Sequence, residues 1–322
     1  MKKTFFIIIS TMLVTFIITA AALTGAASYA VGSFFVDAAL KRGSINDADA
    51  PPAIFRSAFE GNGKPIVAAE RPKYESDEWA MRSYDGLMLC ATHFSPASED
   101  THRWAIVVHG YGLSQAYAWN YASAFLEHGY HVLTPDMRAS GKSGGTYLTM
   151  GAKESIDVSD WASEITRRDP DAKIVLFGVS MGAATVMLAG ADDGLPRSVT
   201  AVIEDSGYTD LRSVFAEELD KLIGLPPFPF LEFIDFVAQK RAGFTFEEAQ
   251  PIKAVKKSRL PMLFIHGDAD QLIPYAMMRR LYDASSSSDK ETFTAEKMPH
   301  AAAYQKKGYY KKVFDFADRH TK

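Results

Sequence analysis

The run Gly178-Val179-Ser180-Met181-Gly182 sets a serine between two glycines, and its flanks decide whether that serine can do chemistry. Lys173-Ile174-Val175-Leu176-Phe177 reads as a buried strand, and Ala183-Ala184-Thr185-Val186-Met187 reads as a helix. Ser180 is thus predicted on a strand-turn-helix junction, the setting a nucleophile elbow needs. Glycines at both second positions fit a strained turn in which strand and helix approach too closely for side chains. A serine hydroxyl is a weak nucleophile until a neighbouring base takes its proton, so a histidine and an orienting acid must lie elsewhere in the chain. His300 is the expected base, because Met298-Pro299-His300-Ala301-Ala302 follows the strand-like run Thr292 to Glu296. The expected acid is Asp270, in His266-Gly267-Asp268-Ala269-Asp270 after the apolar run Pro261 to Ile265. Asp268 is its near competitor and Asp205 a distant third, read as a loop-ordering residue.

Acyl transfer builds charge on the carbonyl oxygen, which calls for backbone N–H donors aimed at it. Met181, directly after the serine at a helix start, and Tyr111, in His109-Gly110-Tyr111-Gly112 after an early strand, are the two expected donors. His109 and His266 stand at strand ends before glycines, where loop hydrogen bonding is the expected duty. His93, His102, His128, His131 and His320 have no supporting context. Cys90 lies in the apolar stretch Leu87 to Ala91 and reads as a buried small hydrophobe.

These residues need a scaffold that brings strand ends together. Short β-rich runs (Leu87 to Phe94, Ala105 to His109, His131 to Pro135, Ile174 to Gly178, Ala201 to Asp205, Met262 to His266) alternate with amphipathic stretches. Gln115 to His128, Ala152 to Arg168 and Met181 to Ala189 are among the expected helices. The alternation predicts an α/β fold, a mostly parallel sheet with helices on both faces. Between Asp205 and Pro261 the chain is rich in aromatics and prolines, notably from Leu222 to Leu231, and is read as a small helical lid over about 207–258.

The N-terminus differs in kind. After Lys2 and Lys3 no charged residue occurs until Asp37, and Phe5 to Leu23 is apolar enough to cross a bilayer. The lysines favour a cytoplasmic N-terminus and an extracytoplasmic catalytic domain. A cleaved signal peptide is the competing reading, since Ser28-Tyr29-Ala30 resembles a small-x-small cleavage site. The chain then divides into an anchor or signal segment over 1–36, a connector over 37–77 with a short helix from Ala53 to Phe59, and the main domain over 78–322. A formal charge of -4, from 35 basic and 39 acidic residues without long runs of either sign, argues against a nucleic-acid partner. One cysteine excludes an internal disulfide and a Cys-rich metal site.

Val107 to Gly112, Asp136-Met137-Arg138-Ala139-Ser140-Gly141-Lys142-Ser143, Gly178 to Gly182, His266 to Pro274 and His300 to Tyr304 together resemble the α/β-hydrolase superfamily. The resemblance covers about Ser83 to Phe316, and within the superfamily it is greatest to membrane-anchored, uncharacterised hydrolases of Gram-positive bacteria. It implies an acid four residues after the histidine of the His-Gly strand end, which is Asp270, and a site-ordering role for Arg138 and Ser143. Val179 stands where many relatives carry histidine. Serine as nucleophile disfavours the dehalogenase and epoxide hydrolase branches, which use aspartate there. The resulting expectation is a serine hydrolase of carboxylic esters (a carboxylesterase) with Ser180, Asp270 and His300 as its triad, working without metal or cofactor on a small-molecule substrate. Peptidase or amidase action by the same triad and a non-catalytic surface module are the alternatives.

Overall fold

The computed structural model describes residues 25–43, 68–98 and 101–322, together with Thr15 and Thr19. Apart from those two threonines, the predicted span Phe5 to Leu23 lies outside the described residues, as does the predicted helix Ala53 to Phe59. Among the described residues no helix is long and apolar enough to cross a membrane.

The strands are β1 (Ser76–Arg82), β2 (Met88–Phe94), β3 (Arg103–Val108), β4 (His131–Pro135), β5 (Lys173–Val179), β6 (Val199–Asp205), β7 (Met262–Gly267) and β8 (Lys290–Ala295). They form one sheet in the order β1-β2-β4-β3-β5-β6-β7-β8. β2 runs antiparallel to both β1 and β4, and the remaining pairs are parallel. Parallel strands covered on both faces must be apolar throughout, and β5 accordingly is buried from Ile174 to Val179. Its neighbours are β3 and β6, so the serine turn emerges at the middle of the sheet. β1, which the sequence reading did not name as a strand, is an edge strand with only Trp79 buried; an apolar-run criterion passes over such a strand.

Among the described residues, eight further α-helices follow one over residues 25–40, here α1. They are α2 (Trp119–Glu127), α3 (Glu154–Arg168), α4 (Met181–Ala189), α5 (Leu211–Ile223), α6 (Pro227–Arg241), α7 (Pro251–Lys257), α8 (Tyr275–Ala284) and α9 (Tyr309–His320). On one face of the sheet, Trp161 of α3, Val186 of α4 and Leu281 of α8 join Ile106, Leu176 and Phe264 in a buried cluster. On the other, Phe125 of α2 and Val313 of α9 join Val107, Phe177 and Ile265. α4 is apolar on nearly every side and buried on nearly every side, as a helix without a solvent face should be.

A third cluster lies over the catalytic end of the sheet, and it changes the reading of the N-terminus. Residues expected to split between anchor and connector at 36 are instead one helix, α1, whose buried positions Ser28, Gly32, Phe35, Val36, Ala39 and Leu40 recur every three or four residues. That spacing makes a single stripe, and the stripe packs on α5 and α6. The Phe35 and Phe215 rings meet edge to face at 5.0 Å. Gly32 lies so close to α6 that a Cβ there would stand 3.0 Å from the Phe233 carbonyl carbon. Asp37 accepts from Arg241 at 2.6 Å and from the Tyr147 hydroxyl at 3.0 Å, and the Leu148 amide donates to the Leu40 carbonyl at 2.8 Å. Full burial of each large apolar side chain in α1 is worth about 1.5–3 kcal/mol, enough to hold this helix in place.

Cys90 also departs from expectation. It is half-buried on β2, near the sheet edge, with its Sγ 3.5 Å from the Lys142 carbonyl oxygen, and burial raises the pKa of its thiol.

Candidate active site

The turn between β5 and α4 places Ser180 at φ 59 and ψ -119, a region that L-residues avoid and that surrounding contacts must enforce. Those contacts are all backbone. The Ser180 amide donates to the Asp205 carbonyl at 2.8 Å, and the Ala184 amide donates to the Ser180 carbonyl at 3.1 Å. A Cβ on Gly178 would fall inside 3.0 Å of the Gly182 carbonyl, and one on Gly182 would meet the Val108 carbonyl equally hard. The two glycines expected from the motif are therefore required by the approach of α4 to β5 and of β3 to α4.

Two further strand ends deliver the partners of the serine. His300, on the loop after β8, has its Nε2 2.8 Å from Ser180 Oγ and its Nδ1 2.7 Å from Asp270 Oδ2. Asp270, on the loop after β7, turns Oδ1 to the amides of Leu272 and Ile273, each at 2.9 Å. Both side chains of the His300–Asp270 pair are almost wholly buried. Burial alone would raise the Asp270 pKa, but His300, together with a second histidine, holds the carboxyl well below the ordinary carboxylate range. That second histidine is His266, whose Nε2 donates both to Asp270 Oδ2 at 3.0 Å and to the Ile273 carbonyl at 2.8 Å. Burial opposes its protonation, while the hydrogen bond and charge of Asp270, with the charge of Glu204, overcome it and raise the imidazole pKa. The sequence reading gave His266 a loop hydrogen bond; it has that bond and the contact with Asp270 as well.

The competing acids are placed elsewhere. Asp268 is exposed and accepts from the Lys297 amide. Asp205 is buried beneath the site, accepting from Ser206 Oγ at 2.8 Å and from the Tyr309 hydroxyl at 2.7 Å, and burial raises its pKa. Ser206 in turn receives the Ala301 amide at 3.3 Å, so Asp205 steadies the loop that carries His300. Gly267 completes this packing, because a Cβ there would collide with the Met298 carbonyl of the same loop.

Met181 and Tyr111 flank the serine as expected. Met181 opens α4, where first-turn N–H groups lack intrahelical acceptors, and the Ser180 side chain does not cap them. The loop from His109 to Gly112 lies against the elbow, with a Cβ on Gly110 falling 3.5 Å from Ser180 Cβ. His109 braces that loop: its Nδ1 bonds the Gly110 carbonyl at 2.8 Å, and its Nε2 receives the Met137 amide at 3.0 Å, which fixes the proton on Nδ1. Burial lowers its pKa and keeps the ring neutral. Arg138 and Ser143 order the loop after β4: Arg138 pairs with Asp157 and Asp85, and Ser143 donates to the Asp136 carbonyl at 2.6 Å.

A pocket opens beside Ser180, lined by Tyr111, Met150, Met181, Tyr208, Val214, Leu272 and Ile273. Apart from the serine and two tyrosine hydroxyls its side chains are apolar. Both hydroxyls are engaged away from it, Tyr208 with the Met150 carbonyl at 2.6 Å and Tyr111 with the Ala39 carbonyl of α1. A residue expected to donate its amide to the reacting oxygen is thus tied by its side chain to the N-terminal helix. The sequence reading missed that tie, although the apolar spacing Phe35, Val36, Ala39, Leu40 was there to be seen. Among the described residues no cluster of three or more His, Cys, Asp or Glu side chains is arranged to hold a metal ion.

Comparison with known proteins fits this architecture. The model of the alpha/beta hydrolase family matches residues 105–305. The uncharacterized protein YqkD of Bacillus subtilis is 30% identical over 250 residues, covering 76% of this chain and 80% of its own. The lysophosphatidylserine lipase ABHD12 of Danio rerio is 26% identical over 166 residues, half of this chain and 41% of that protein. The esterase Pf2001 of Pyrococcus furiosus superposes with a TM-score of 0.65 at 21% identity, over 80% of this chain and 99% of the esterase.

Proposed function

Because the chain belongs to the alpha/beta hydrolase family, we propose that it is a serine hydrolase of carboxylic esters acting through an acyl-enzyme. The observation that carries this reading is the pair of contacts on one imidazole, 2.8 Å to Ser180 Oγ and 2.7 Å to Asp270 Oδ2. His300 takes the serine proton as Oγ attacks the ester carbonyl, and Asp270 holds the ring in the tautomer that can accept it. The amides of Met181 and Tyr111 carry the charge that develops on the carbonyl oxygen. His300 then returns the proton to the leaving alkoxide, and water enters by the same route to release the acid. The apolar lining around Val214, Leu272 and Ile273 suits an acyl chain better than a charged group. The lysophosphatidylserine lipase named above supports an ester.

The sequence adds a location. Phe5 to Leu23 anchors the chain in the cell membrane with the hydrolase domain on the extracytoplasmic side. Fluorophosphonate labelling tests the chemistry: the wild type labels and hydrolyses p-nitrophenyl esters, and Ser180→Ala does neither. Equal labelling of the two proteins overturns the assignment of the nucleophile, and faster turnover of aminoacyl anilides than of esters overturns the substrate class.

A further inference from the structure

The residues that line the pocket beside Ser180 decide which half of an ester it receives. The leaving alkoxide must take its proton from His300 Nε2, so the alcohol half lies on the side of that imidazole. His300 does not line the pocket, whereas Met181 and Tyr111, the expected oxyanion donors, do. The pocket is therefore the place of the acyl group. It is small: the space open to the centre of a water-sized group is about 20 Å³. About 10–15 Å³ of such space holds one water, so the pocket takes a methyl group and little more.

The walls of this pocket are fixed in place. Both tyrosine rings are buried and tied by their hydroxyls to backbone carbonyls, Tyr111 to Ala39 of α1 and Tyr208 to Met150 at 2.6 Å. Leu272 and Ile273 are held through their amides by Asp270, the carboxylate that also orients His300. Met150 is held most firmly of all. Its φ of 52 lies in the left-handed region, which residues with side chains rarely enter, and its neighbours enforce it. Glu154, fully buried at the start of α3, accepts from the Thr149 amide at 2.7 Å, from the Thr149 hydroxyl and from the Gly151 amide at 2.9 Å. A Cβ on Gly151 would stand 3.0 Å from Leu188 Cδ1, so this loop is also pressed against α4, the helix that begins directly after Ser180. The Met150 thioether is flexible, but it has nowhere to swing: the residue is 4% exposed and packed within the cluster over the catalytic end of the sheet. Backbone strain that surrounding bonds hold in place gathers at ligand clamps, and here the strained residue is one that bounds the acyl pocket.

We propose that the substrate is a short-acyl ester, an acetyl or at most a propionyl ester, and that Met150 is the residue that sets this limit. The proposal rests on the esterase reading above, and its test keeps the two apart. Full-length protein in detergent is assayed on p-nitrophenyl acetate, butyrate and octanoate, with Ser180→Ala as the blank. The wild type is compared with Met150→Gly, which suits the left-handed backbone and removes the thioether, and with Met150→Ala. Met277→Ala is the control, since Met277 belongs to the same cluster and does not line the pocket. One methylene in a hydrophobic site is worth about tenfold or more in discrimination, so wild-type kcat/KM should fall at least about tenfold from acetate to butyrate and further to octanoate. In both Met150 variants the ratio of butyrate to acetate turnover should rise about tenfold, and in Met277→Ala it should stay within about threefold. Because the ratio is read within each protein, partial unfolding, which lowers both rates together, leaves it unchanged. A wild type that hydrolyses butyrate or octanoate as fast as acetate overturns the short-acyl assignment and leaves the esterase reading standing. An unchanged ratio in the Met150 variants, or an equal rise in Met277→Ala, overturns the role of Met150. Failure of the wild type to hydrolyse any of the three esters removes the esterase reading, and the proposal with it.

Discussion

Replacing Asp270 by asparagine keeps the size of the side chain and exchanges one acceptor for a donor, and the surrounding bonds dictate where the donor goes. Oδ1 accepts two backbone amides, Leu272 and Ile273 at 2.9 Å, which are fixed donors and will keep the amide oxygen of the asparagine. The new NH2 group must then occupy the place of Oδ2, facing His300 Nδ1 at 2.7 Å and His266 Nε2 at 3.0 Å. His300 can meet an N–H donor only by accepting at Nδ1, which puts its proton on Nε2, pointing at Ser180 Oγ 2.8 Å away. An imidazole in that tautomer cannot take the serine proton. Loss of the correct tautomer in this kind of triad costs about 10⁴-fold in kcat, or about 5.4 kcal/mol of transition-state stabilisation. The assay is steady-state hydrolysis of a soluble p-nitrophenyl ester near pH 7.5, with KM expected to stay within about threefold because the pocket does not change. Asp268→Asn is the control, since that carboxylate is exposed and faces the Lys297 amide; its kcat should stay within about threefold. A fall of less than tenfold in Asp270→Asn, or an equal fall in Asp268→Asn, would refute the assignment of the acid.

Two further outcomes are expected. Gly178→Ala sets a Cβ inside 3.0 Å of backbone atoms of Gly182 and Ala183, which cannot swing aside. Overpacking of this kind costs about 1–3 kcal/mol or more, so thermal unfolding followed by circular dichroism should show a midpoint lowered by about 4 °C or more, and an unchanged midpoint contradicts the close approach of β5 and α4. His266→Gln keeps a donor to Asp270 but removes a group whose folded pKa is raised by Asp270 and Glu204. A raised pKa gives stability that is complete below the unfolded value of about 6.5 and disappears as pH rises through the folded value, so the wild type's advantage over His266→Gln in urea should be largest near pH 5.5 and shrink toward pH 9. A difference independent of pH would mean that His266 acts only through shape and hydrogen bonding.

Much of the parallel sheet could be read because its strands are buried on both faces. Ile174 to Phe177 and Met262 to Ile265 are apolar without interruption, and each ends in a glycine-containing turn whose polar residue reaches the site. The expected serine, acid and histidine are brought together because the fold puts the ends of β5, β7 and β8 at one edge. What escaped the reading was set by distance in sequence. Nothing local to His266 says that its ring will share the carboxylate of Asp270, because that depends on the return of the chain after β7. α1 was hidden by its neighbour: a long apolar run masks the narrower stripe of a helix that follows it. Only the partners on α5 and α6, nearly 200 residues away, mark which residues there face the core. β1 was lost for the opposite reason, since an edge strand with one buried residue gives too little apolar signal.

The docking of α1 also sets a clock. Ser28, Tyr29 and Ala30, which resemble a signal-peptidase site, are helical, and Ser28 is fully buried. A peptidase needs its substrate extended and accessible, so once α1 has settled on α6 the bond after Ala30 is no longer open to cutting. A cut after Ala30 would therefore have to come before the folding step that brings Gly32 against Phe233. Because that bond lies within α1, a chain cut there would lose Ser28 and with it part of the stripe that packs on α5 and α6.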